Sequence, residues 1–246
     1  MHHYDHRGHA GNAGDVWKHL LLLEAASCLF IPNRCFVYAE SHVGRPEYAL
    51  CTPGDWVGGI GKLWPILPKL KNFCYFDILA ELNPTGPKRY PGSAVLVLEA
   101  AKRYKTDLQT EIWDADPEVA AAWQGFSGVR FHLGDGFSGV ESLLECSPPG
   151  LLLIDPPYID PSDKRMAEKL LFMARDLGWV VLWWYMMETE MTPKVRLEKF
   201  ELEFAKIGLD GGRWKGCVVA VAGAGDELLC HFRVQSDRLI EIISSR

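Results

Sequence analysis

Residues 151–158 constrain the fold more strongly than any other stretch of this sequence. They read Leu-Leu-Leu-Ile-Asp-Pro-Pro-Tyr, so an apolar run ends abruptly at a carboxylate, two prolines and an aromatic ring. Four consecutive aliphatic residues predict a parallel strand that is covered on both faces. Because the prolines fix φ and lack a backbone donor, neither sheet nor helix continues beyond Asp155. We therefore expect a buried strand followed by a rigid loop.

The predicted loop offers groups that would bind a planar base with an exocyclic amine. The lone pair of such an amine is delocalised into the ring, and two acceptors on its N–H bonds favour the pyramidal nitrogen that attacks a methyl sulfonium. The Asp155 carboxylate and the Pro156 carbonyl are the candidate acceptors, and the Tyr158 ring is a candidate stacking surface. These residues predict methylation of an amino group on a nucleobase. The alternative is an ordinary strand-ending turn, since Asp and Pro are common in turns.

Strand-like and helix-like patterns alternate along much of the chain, and this alternation predicts an α/β fold with a mostly parallel sheet. The predicted strands are residues 35–40, 110–113, 129–133, 151–154 and 179–184, and the predicted helices are residues 92–104, 117–123, 139–146 and 162–177. Near the end, the apolar runs 217–222 and 228–234 flank a glycine-rich segment, which predicts a hairpin. A parallel sheet with an antiparallel carboxyl-terminal edge is typical of the class I S-adenosylmethionine-dependent methyltransferase fold, which is Rossmann-like.

The domain organisation predicted from the sequence is one large α/β domain with an insertion. A chain of 246 residues is long enough to bury a core without disulfides. Between residues 46 and 90 the pattern breaks into short pieces rich in proline, glycine and tryptophan, which predicts a small inserted helical subdomain. Residues 1–45 and 91–246 then form the methyltransferase domain.

Composition excludes several classes of protein. With 48% hydrophobic residues and a mean hydropathy of −0.04, the chain is typical of globular proteins, and no segment approaches a membrane span. The seven cysteines form no C-x-x-C pair, so neither a disulfide framework nor a thiolate zinc site is predicted. The polar amino terminus lacks the apolar core of a signal peptide, and we expect a cytoplasmic monomer with no membrane segment.

The net charge of the chain bears on whether it binds nucleic acid. The net charge of −6 argues against a generic nucleic-acid binder, because phosphate contacts usually leave a basic excess. Cations nevertheless gather between residues 60 and 105, where they form either a local basic face or an ordinary solvated surface.

The amino-terminal segment contains four of the eight histidines within its first fifteen residues. They are His2, His3, His6 and His9. A metal cluster and an arm that contacts the substrate are the two competing interpretations. Because no acid or cysteine recurs at a clear ligand spacing, we predict the arm and no metal site. Tyr4 and His6 are suited to contact a base or phosphate.

A helix is predicted directly after this arm, over residues 15–28. Asp15 occupies the position of an N-cap, and a run of leucines and alanines follows it. Lys18 and His19 lie one turn from the start of the helix, near the region that the arm would cover. Lys18 is therefore a third candidate substrate contact.

Three strand ends should meet around a nucleoside cofactor if this fold is formed. The first is the loop after residues 35–40, which contains His42. Asp114 follows the second strand and could accept both ribose hydroxyls. Asp135 and Gly136 follow the third, where the carboxylate could accept from an adenine amine. Ordinary helix caps and turns are the alternatives at Asp114 and Asp135.

Taken together, these motifs resemble the RlmJ-type 23S ribosomal RNA adenine-N6 methyltransferases. The resemblance is strongest at the start and continues in the same order over most of the chain. Its residues are Tyr4, His6, His9-Ala10-Gly11-Asn12, Asp15-Val16, Lys18-His19, His42, Tyr90-Pro91-Gly92-Ser93, Asp114, Asp135-Gly136 and Asp155-Pro156-Pro157-Tyr158.

The resemblance implies N6-methylation of an adenine in 23S rRNA, with S-adenosylmethionine as the methyl donor. By this resemblance the cofactor-binding residues are His19, His42, Ser93, Asp114, Asp135, Gly136 and Asp155. Asp155 would be the catalytic acceptor, and Tyr4 would touch the RNA. A helical insertion after the first strand is also similar to the family.

Two departures keep other functions open. The first-strand loop reads Ser41-His42-Val43-Gly44-Arg45 and has fewer glycines than the family's turn, and the carboxyl-terminal region lacks an Asn-Pro-Pro-Trp-like stretch. One alternative is a non-catalytic relative, involved in competence or the use of external DNA, that keeps the fold. Others are amino methylation of DNA or, less well matched because that motif usually begins with Asn, of a protein glutamine amide.

Overall fold

Seven strands form one mixed sheet in the computed structural model, which describes residues 6–189 and 197–245. Tyr4, His2 and His3 lie outside the described residues. Two further strands, β2 and β3, form a separate small sheet. In chain order the strands are β1 (Cys35–Glu40), β2 (Glu47–Ala49), β3 (Arg89–Pro91), β4 (Asp107–Asp114), β5 (Val129–Leu133), β6 (Leu151–Ile154), β7 (Val180–Met186), β8 (Glu198–Glu203) and β9 (Gly216–Ala222). The α-helices are α1 (Ala13–Leu29), α2 (Ile60–Leu63), α3 (Cys74–Leu82), α4 (Ser93–Tyr104), α5 (Pro117–Ala122), α6 (Gly136–Leu144), α7 (Asp163–Asp176) and α8 (Asp226–Ser244).

The order of the strands in the large sheet is β5-β4-β1-β6-β7-β9-β8. The first five of these are parallel, and β9 runs antiparallel to both β7 and β8. The predicted α/β class and the antiparallel edge are therefore confirmed. The four residues of β6 are completely buried between β1 and β7, as an uninterrupted aliphatic strand requires.

Helix α1 is buried around most of its circumference. Fourteen of its residues are buried, and it packs against α3, α4 and α8. The side chain of Asn12, not that of Asp15, caps this helix by accepting from the backbone N–H of Asp15 at 2.8 Å. The predicted cap at Asp15 was wrong because the helix begins two residues earlier, which leaves the Asp15 carboxylate free to point into the protein.

The predicted hairpin near the end of the chain is also wrong. Residues 217–222 are a strand as expected, but residues 228–234 belong to the helix α8. Its buried face follows a helical spacing formed by Leu228, Phe232, Ser236, Leu239 and Ile243. The strand that pairs with β9 at the edge of the sheet is β8, which precedes β9 in the chain. In β8, Phe200 and Leu202 alternate with exposed glutamates.

The inserted region from residue 46 to residue 90 is attached to the main sheet domain by shared apolar packing. Its ends pair as the two-stranded sheet β2-β3. Ile60, Phe73 and Tyr75 are fully buried in the same core cluster as the leucines of α1. Several cations near this region pair with acids, among them Arg103 with Glu81, at 2.6 Å. These pairs are typical of a solvated surface.

Two features of the described residues bear on membrane and metal binding. Among the described residues, none of the helices combines the length and the apolar character that a membrane span needs. Within residues 6–189 and 197–245, no group of three or more His, Cys, Asp or Glu side chains is arranged to hold a metal ion.

Candidate active site

The carboxyl ends of β1, β4, β5 and β6 meet at one edge of the sheet, since these strands are parallel neighbours. The predicted residues lie at these four strand ends, since Asp114 is the last residue of β4 and His42, Asp135 and Asp155 follow β1, β5 and β6. The topology therefore gathers four separate segments at one edge, where open α/β sheets bind their ligands.

The loop after β6 holds Tyr158 in a fixed position. This residue has a φ of +54°, a left-handed conformation that non-glycine residues adopt only when surrounding contacts require it. The contacts are on its hydroxyl, which donates to the carbonyl of Trp184 at 2.6 Å and accepts from the indole N–H of Trp183 at 2.7 Å. Burial raises the pKa of Tyr158 well above its ordinary value, so the phenol stays neutral. The ring is thus anchored to β7.

Asp155 is paired with Lys18 of helix α1. The Lys18 Nζ lies 2.6 Å from Asp155 Oδ2 and 2.9 Å from Asp15 Oδ1, and 5.4 Å from the centre of the Trp184 ring. Burial alone would lower the pKa of Lys18, but the Asp15 and Asp155 carboxylates raise it well above its ordinary value. Lys18 is therefore a permanent cation held between two acids.

Asp15 connects Lys18 to the amino-terminal arm. Its Oδ2 accepts from the backbone N–H of Gly11 at 2.9 Å and lies 3.0 Å from His6 Nε2. Burial alone would raise the pKa of Asp15, but Lys18 and His6 hold it well below its ordinary value. The sequence reasoning missed this role, although the i, i+3 spacing of Asp15 and Lys18 within an apolar helix was a usable signal.

His42 and Gly136 bring the loop after β1 against the start of α6. The His42 ring meets the Phe137 ring edge to face at 4.7 Å, and its Nδ1 lies 2.9 Å from the Ser41 hydroxyl. Burial lowers the pKa of His42 to about 4, so the imidazole is neutral near pH 7. A Cβ on Gly136 would collide with the Ser41 carbonyl oxygen, and only glycine permits this approach.

Asp135 and Asp114 both hold backbone groups. Asp135 caps α6 by accepting from the N–H groups of Phe137 and Ser138. Asp114 accepts from the N–H of Gly44 at 3.0 Å and from the N–H of Asp116 at 2.8 Å. The cap and turn interpretations therefore apply to both residues. Since a carboxylate has about four lone-pair sites, Asp135 could also accept from a ligand.

The bulky residues of the first-strand loop have partners of their own. Val43 is buried in the core, and the Arg45 guanidinium pairs with Glu118 at 2.6 Å. Gly44 is the loop residue with a positive φ, +65°, so the glycine that the turn requires is retained.

Glu40 is a second residue that the sequence reasoning missed. It ends β1, is 1% exposed, and accepts hydrogen bonds from the hydroxyls of Tyr38 and Ser93. Burial raises the pKa of Glu40 to about 8, although Ser93, Tyr38 and Lys18 act in the opposite direction. Ser93, a candidate cofactor contact, is thus fixed by this acid.

His19 has one nitrogen bonded and one without a partner. Its Nδ1 lies 2.8 Å from the Tyr90 hydroxyl, and its Nε2 is buried with no hydrogen-bond partner among the described residues. Burial lowers the pKa of His19 to about 3, so the ring is neutral. A buried unpaired nitrogen fits a polar ligand, because such groups are rarely left unsatisfied.

The sheet order and the residues gathered at its edge define a class I S-adenosylmethionine-dependent methyltransferase fold. The orphaned His19 nitrogen and the close approach at Gly136 are both compatible with a nucleoside cofactor at this edge. The family model described as ribosomal RNA large subunit methyltransferase D, RlmJ, matches residues 33–207. The chain belongs to this family.

Individual relatives agree with the family. The chain is 28% identical over 208 residues to the ribosomal RNA large subunit methyltransferase J of Haemophilus influenzae, a match that spans 78% of this chain and 73% of the relative. It is 32% identical over 165 residues to the Escherichia coli protein of the same name, spanning 63% of this chain and 59% of the relative. A crystal structure of a Legionella pneumophila protein superposes with a TM-score of 0.78 at 19% identity, covering 96% of this chain and 93% of that one, and shows the same fold.

Proposed function

We propose that the protein transfers a methyl group from S-adenosylmethionine to N6 of an adenine in 23S ribosomal RNA. The observation that most supports this is the loop after β6, where Asp155, Pro156 and an anchored Tyr158 follow a buried central strand. Membership of the RlmJ family and the names of the relatives from Haemophilus influenzae and Escherichia coli support the RNA substrate.

The proposed cofactor site comprises residues from six segments. They are His19, His42, Ser93, Asp114, Asp135, Gly136 and Asp155. Asp114 would accept from the ribose hydroxyls, Asp135 from the adenine amine, and the neutral His19 would use its unpaired Nε2. When bound, S-adenosylmethionine supplies an electrophilic methyl group on a sulfonium.

In the proposed mechanism Asp155 and Pro156 orient the amine of the target adenine. Because Lys18 occupies Asp155 Oδ2, the other oxygen is the one that accepts an N–H of the substrate. The Pro156 carbonyl accepts the second N–H, and these two bonds direct the nitrogen lone pair away from the ring. The nitrogen loses its proton to solvent after the new C–N bond has formed. Tyr158 stacks on the base and keeps it in line.

The arm and helix α1 complete the proposed substrate site. His6 and Lys18 lie on the chain of contacts that ends at Asp155, and Tyr4 precedes them in the sequence. We further propose a cytoplasmic monomer in which residues 1–45 and 91–246 form the methyltransferase domain and residues 46–90 the inserted subdomain.

Two measurements test this function. Calorimetry of the purified protein with S-adenosylmethionine should detect micromolar or tighter binding, and methyl transfer should be found with 23S rRNA transcribed in vitro. Asp155→Ala should lower kcat by about 100-fold or more, a larger effect than its effect on cofactor affinity, to which six other residues contribute. Asp176→Ala, at an exposed aspartate on α7, is the matched control and should behave as wild type.

Other outcomes separate the alternatives. Full activity in Asp155→Ala would refute the proposed mechanism. Methylation of DNA but not of RNA would favour the DNA-directed relative, and absence of cofactor binding would favour the non-catalytic one.

A further inference from the structure

A cleft of about 360 Å³ begins at the Tyr158 side chain. Its walls include Lys164, Thr189 and Trp214, all from described parts of the chain. Asp155 and Pro156 do not line it. The cleft therefore adjoins the position at Asp155 and Pro156 through Tyr158, and its other walls are formed by different residues. The volume lies within the range of small-ligand sites.

Trp214 is a supported aromatic ring at this cleft. It is partly buried against the core, and its backbone N–H donates to the Gly211 carbonyl at 3.1 Å. The next residue is fixed as well, because the backbone N–H of Lys215 donates to Glu188 Oε1 at 2.6 Å. The Arg213 guanidinium lies 4.5 Å from the centre of the Trp214 ring. A ring held in this way is suited to stacking.

Four cations belong to the cleft or to residues next to it. Lys164 lines the cleft, Arg213 packs on the Trp214 ring, and Arg165 and Lys215 follow Lys164 and Trp214 in the sequence. None of these four pairs with a carboxylate among residues 6–189 and 197–245, whereas Lys169 on the same helix as Lys164 pairs with Glu141 at 2.7 Å. The acids at the cleft bind backbone groups, since Asp160 accepts from the N–H of Ser162 at 2.7 Å and Glu188 from Lys215. Asp160 and Glu188 keep their negative charge, but their bonds to backbone N–H groups leave the four cations without a paired carboxylate among the described residues.

We infer that this cleft is a subsite for the base of a nucleotide that flanks the target adenine in the RNA. Trp214 is the stacking surface, and the four cations contact the neighbouring phosphates. An aromatic ring between two cations, as in Arg213-Trp214-Lys215, matches the chemistry of unpaired RNA, in which bases stack and the backbone is anionic. The inference rests on the proposed function, because it takes the nucleotide at Asp155 as the target.

The test compares a ligand that has a flanking base with one that has none. Binding of a short fluorescein-labelled oligoadenosine RNA is measured by anisotropy, and binding of adenosine monophosphate by calorimetry. Trp214→Ala should weaken the oligonucleotide about tenfold and leave adenosine monophosphate unchanged. Trp214→Phe, which retains a stacking ring, should stay within about threefold of wild type for both ligands.

Salt dependence tests the cations. Lys164→Gln should reduce the slope of log affinity against log salt for the oligonucleotide by about 0.7, as expected for one lost phosphate contact. Lys169→Gln is the matched control on the same helix, and its slope should equal that of wild type. An unchanged slope in Lys164→Gln would remove this residue from the subsite.

The outcomes distinguish this inference from the proposed reaction. Equal weakening of both ligands by Trp214→Ala would assign Trp214 to the target base and overturn the inference, as would no weakening of either. Cofactor affinity and thermal unfolding of the variants report any loss of folding. If the wild type does not methylate 23S rRNA but its RNA binding still depends on Trp214, the subsite stands and the proposed reaction fails.

Discussion

Asp15 connects the amino-terminal arm to the proposed catalytic loop through its two carboxylate oxygens. One oxygen contacts Lys18, which pairs with Asp155, and the other contacts His6 and Gly11. Such a buried acid is costly to disturb, because removing one partner of a buried ion pair leaves the other charge uncompensated. Asp15 is thus a positioning residue for Asp155.

Asp15→Asn should reduce both turnover and stability. The amide removes the charge that holds Lys18, so we expect a loss of about 3 kcal/mol in the free energy of unfolding and a fall in kcat of about tenfold or more. Asp55→Asn is the control, because Asp55 pairs with His9, a further histidine of the arm, on the surface. That variant should lose less than about 1 kcal/mol. Urea unfolding and steady-state kinetics on 23S rRNA measure both effects, and equal behaviour of the two variants would contradict this role.

Glu40 makes the stability of the protein depend on pH. In the folded protein its pKa is about 8, against an ordinary 4.5, so between these values the folded state binds a proton that the unfolded state has lost. This contribution to stability is complete below pH 4.5 and is lost as the pH rises to 8.

Glu40→Gln should remove this dependence, because glutamine does not titrate. The free energy of unfolding of the variant, relative to wild type, should rise with pH across the window from 4.5 to 8 by up to about 1.4 kcal/mol per unit. Urea unfolding at intervals across the window measures it. Glu203→Gln, at a surface glutamate paired with Lys206, is the control and should give a flat difference. A flat difference for Glu40→Gln would show that the buried acid does not titrate there.

A site residue is easier to predict when its partners lie close to it in the sequence. Asp155, Pro156 and Tyr158 could be predicted because their groups are adjacent in the chain. The contact between Lys18 and Asp155 joins residues 137 positions apart, and no local pattern specifies it. Glu40 was missed because an acid at a strand end is common, and only its tertiary burial makes it unusual.

At the scale of elements, α8 shows how a short apolar run misleads. A window of seven residues, 228–234, reads as a strand or as a buried helix equally well. The helical spacing appears only when the window extends to Ile243, and Asp226 and Glu227 then stand in the first turn, where acids favour a helix. The parallel strands β1, β5 and β6 were predictable because each lies in a repeated βα unit with its own turn signals.

Two substitutions on α8 test which of its faces is buried. Phe232 is fully buried and meets Phe200 of β8 edge to face at 5.2 Å, whereas Val234 is 55% exposed. Phe232→Ala should cost about 3–5 kcal/mol in the free energy of unfolding. Val234→Ala should change it by less than about 0.5 kcal/mol. Chemical denaturation measures both, and similar losses would contradict the helical assignment.

At the scale of the whole molecule, the insertion and the sheet domain share one core. Ile60 and Phe73 from the insertion lie in the same buried cluster as Leu20 of α1. The sequence predicted the boundaries from composition, but it could not reveal this shared packing because the contacting residues are far apart. A shared core implies that the two parts unfold together.

Ile60→Ala should therefore destabilise the entire protein and not the insertion alone. We expect one unfolding transition in wild type and variant, with coincident far-ultraviolet, near-ultraviolet and fluorescence signals, shifted in the variant by about 2–5 kcal/mol. Val57→Ala, at an exposed residue of the same insertion, is the control. Two separate transitions would indicate an independently folding subdomain.

The burial of α1 has a consequence for synthesis on the ribosome. This helix is made well before its partners, because Glu24 pairs with His231, 207 residues later, and Trp17 donates to the carbonyl of Phe200. At a synthesis rate of about 5–20 residues per second, the segments that bury α1 emerge roughly 10–40 s after the helix itself. During that interval the leucines of α1 lack their native partners. The nascent chain therefore presents a surface of the kind that chaperones bind, well before Lys18 can meet Asp155.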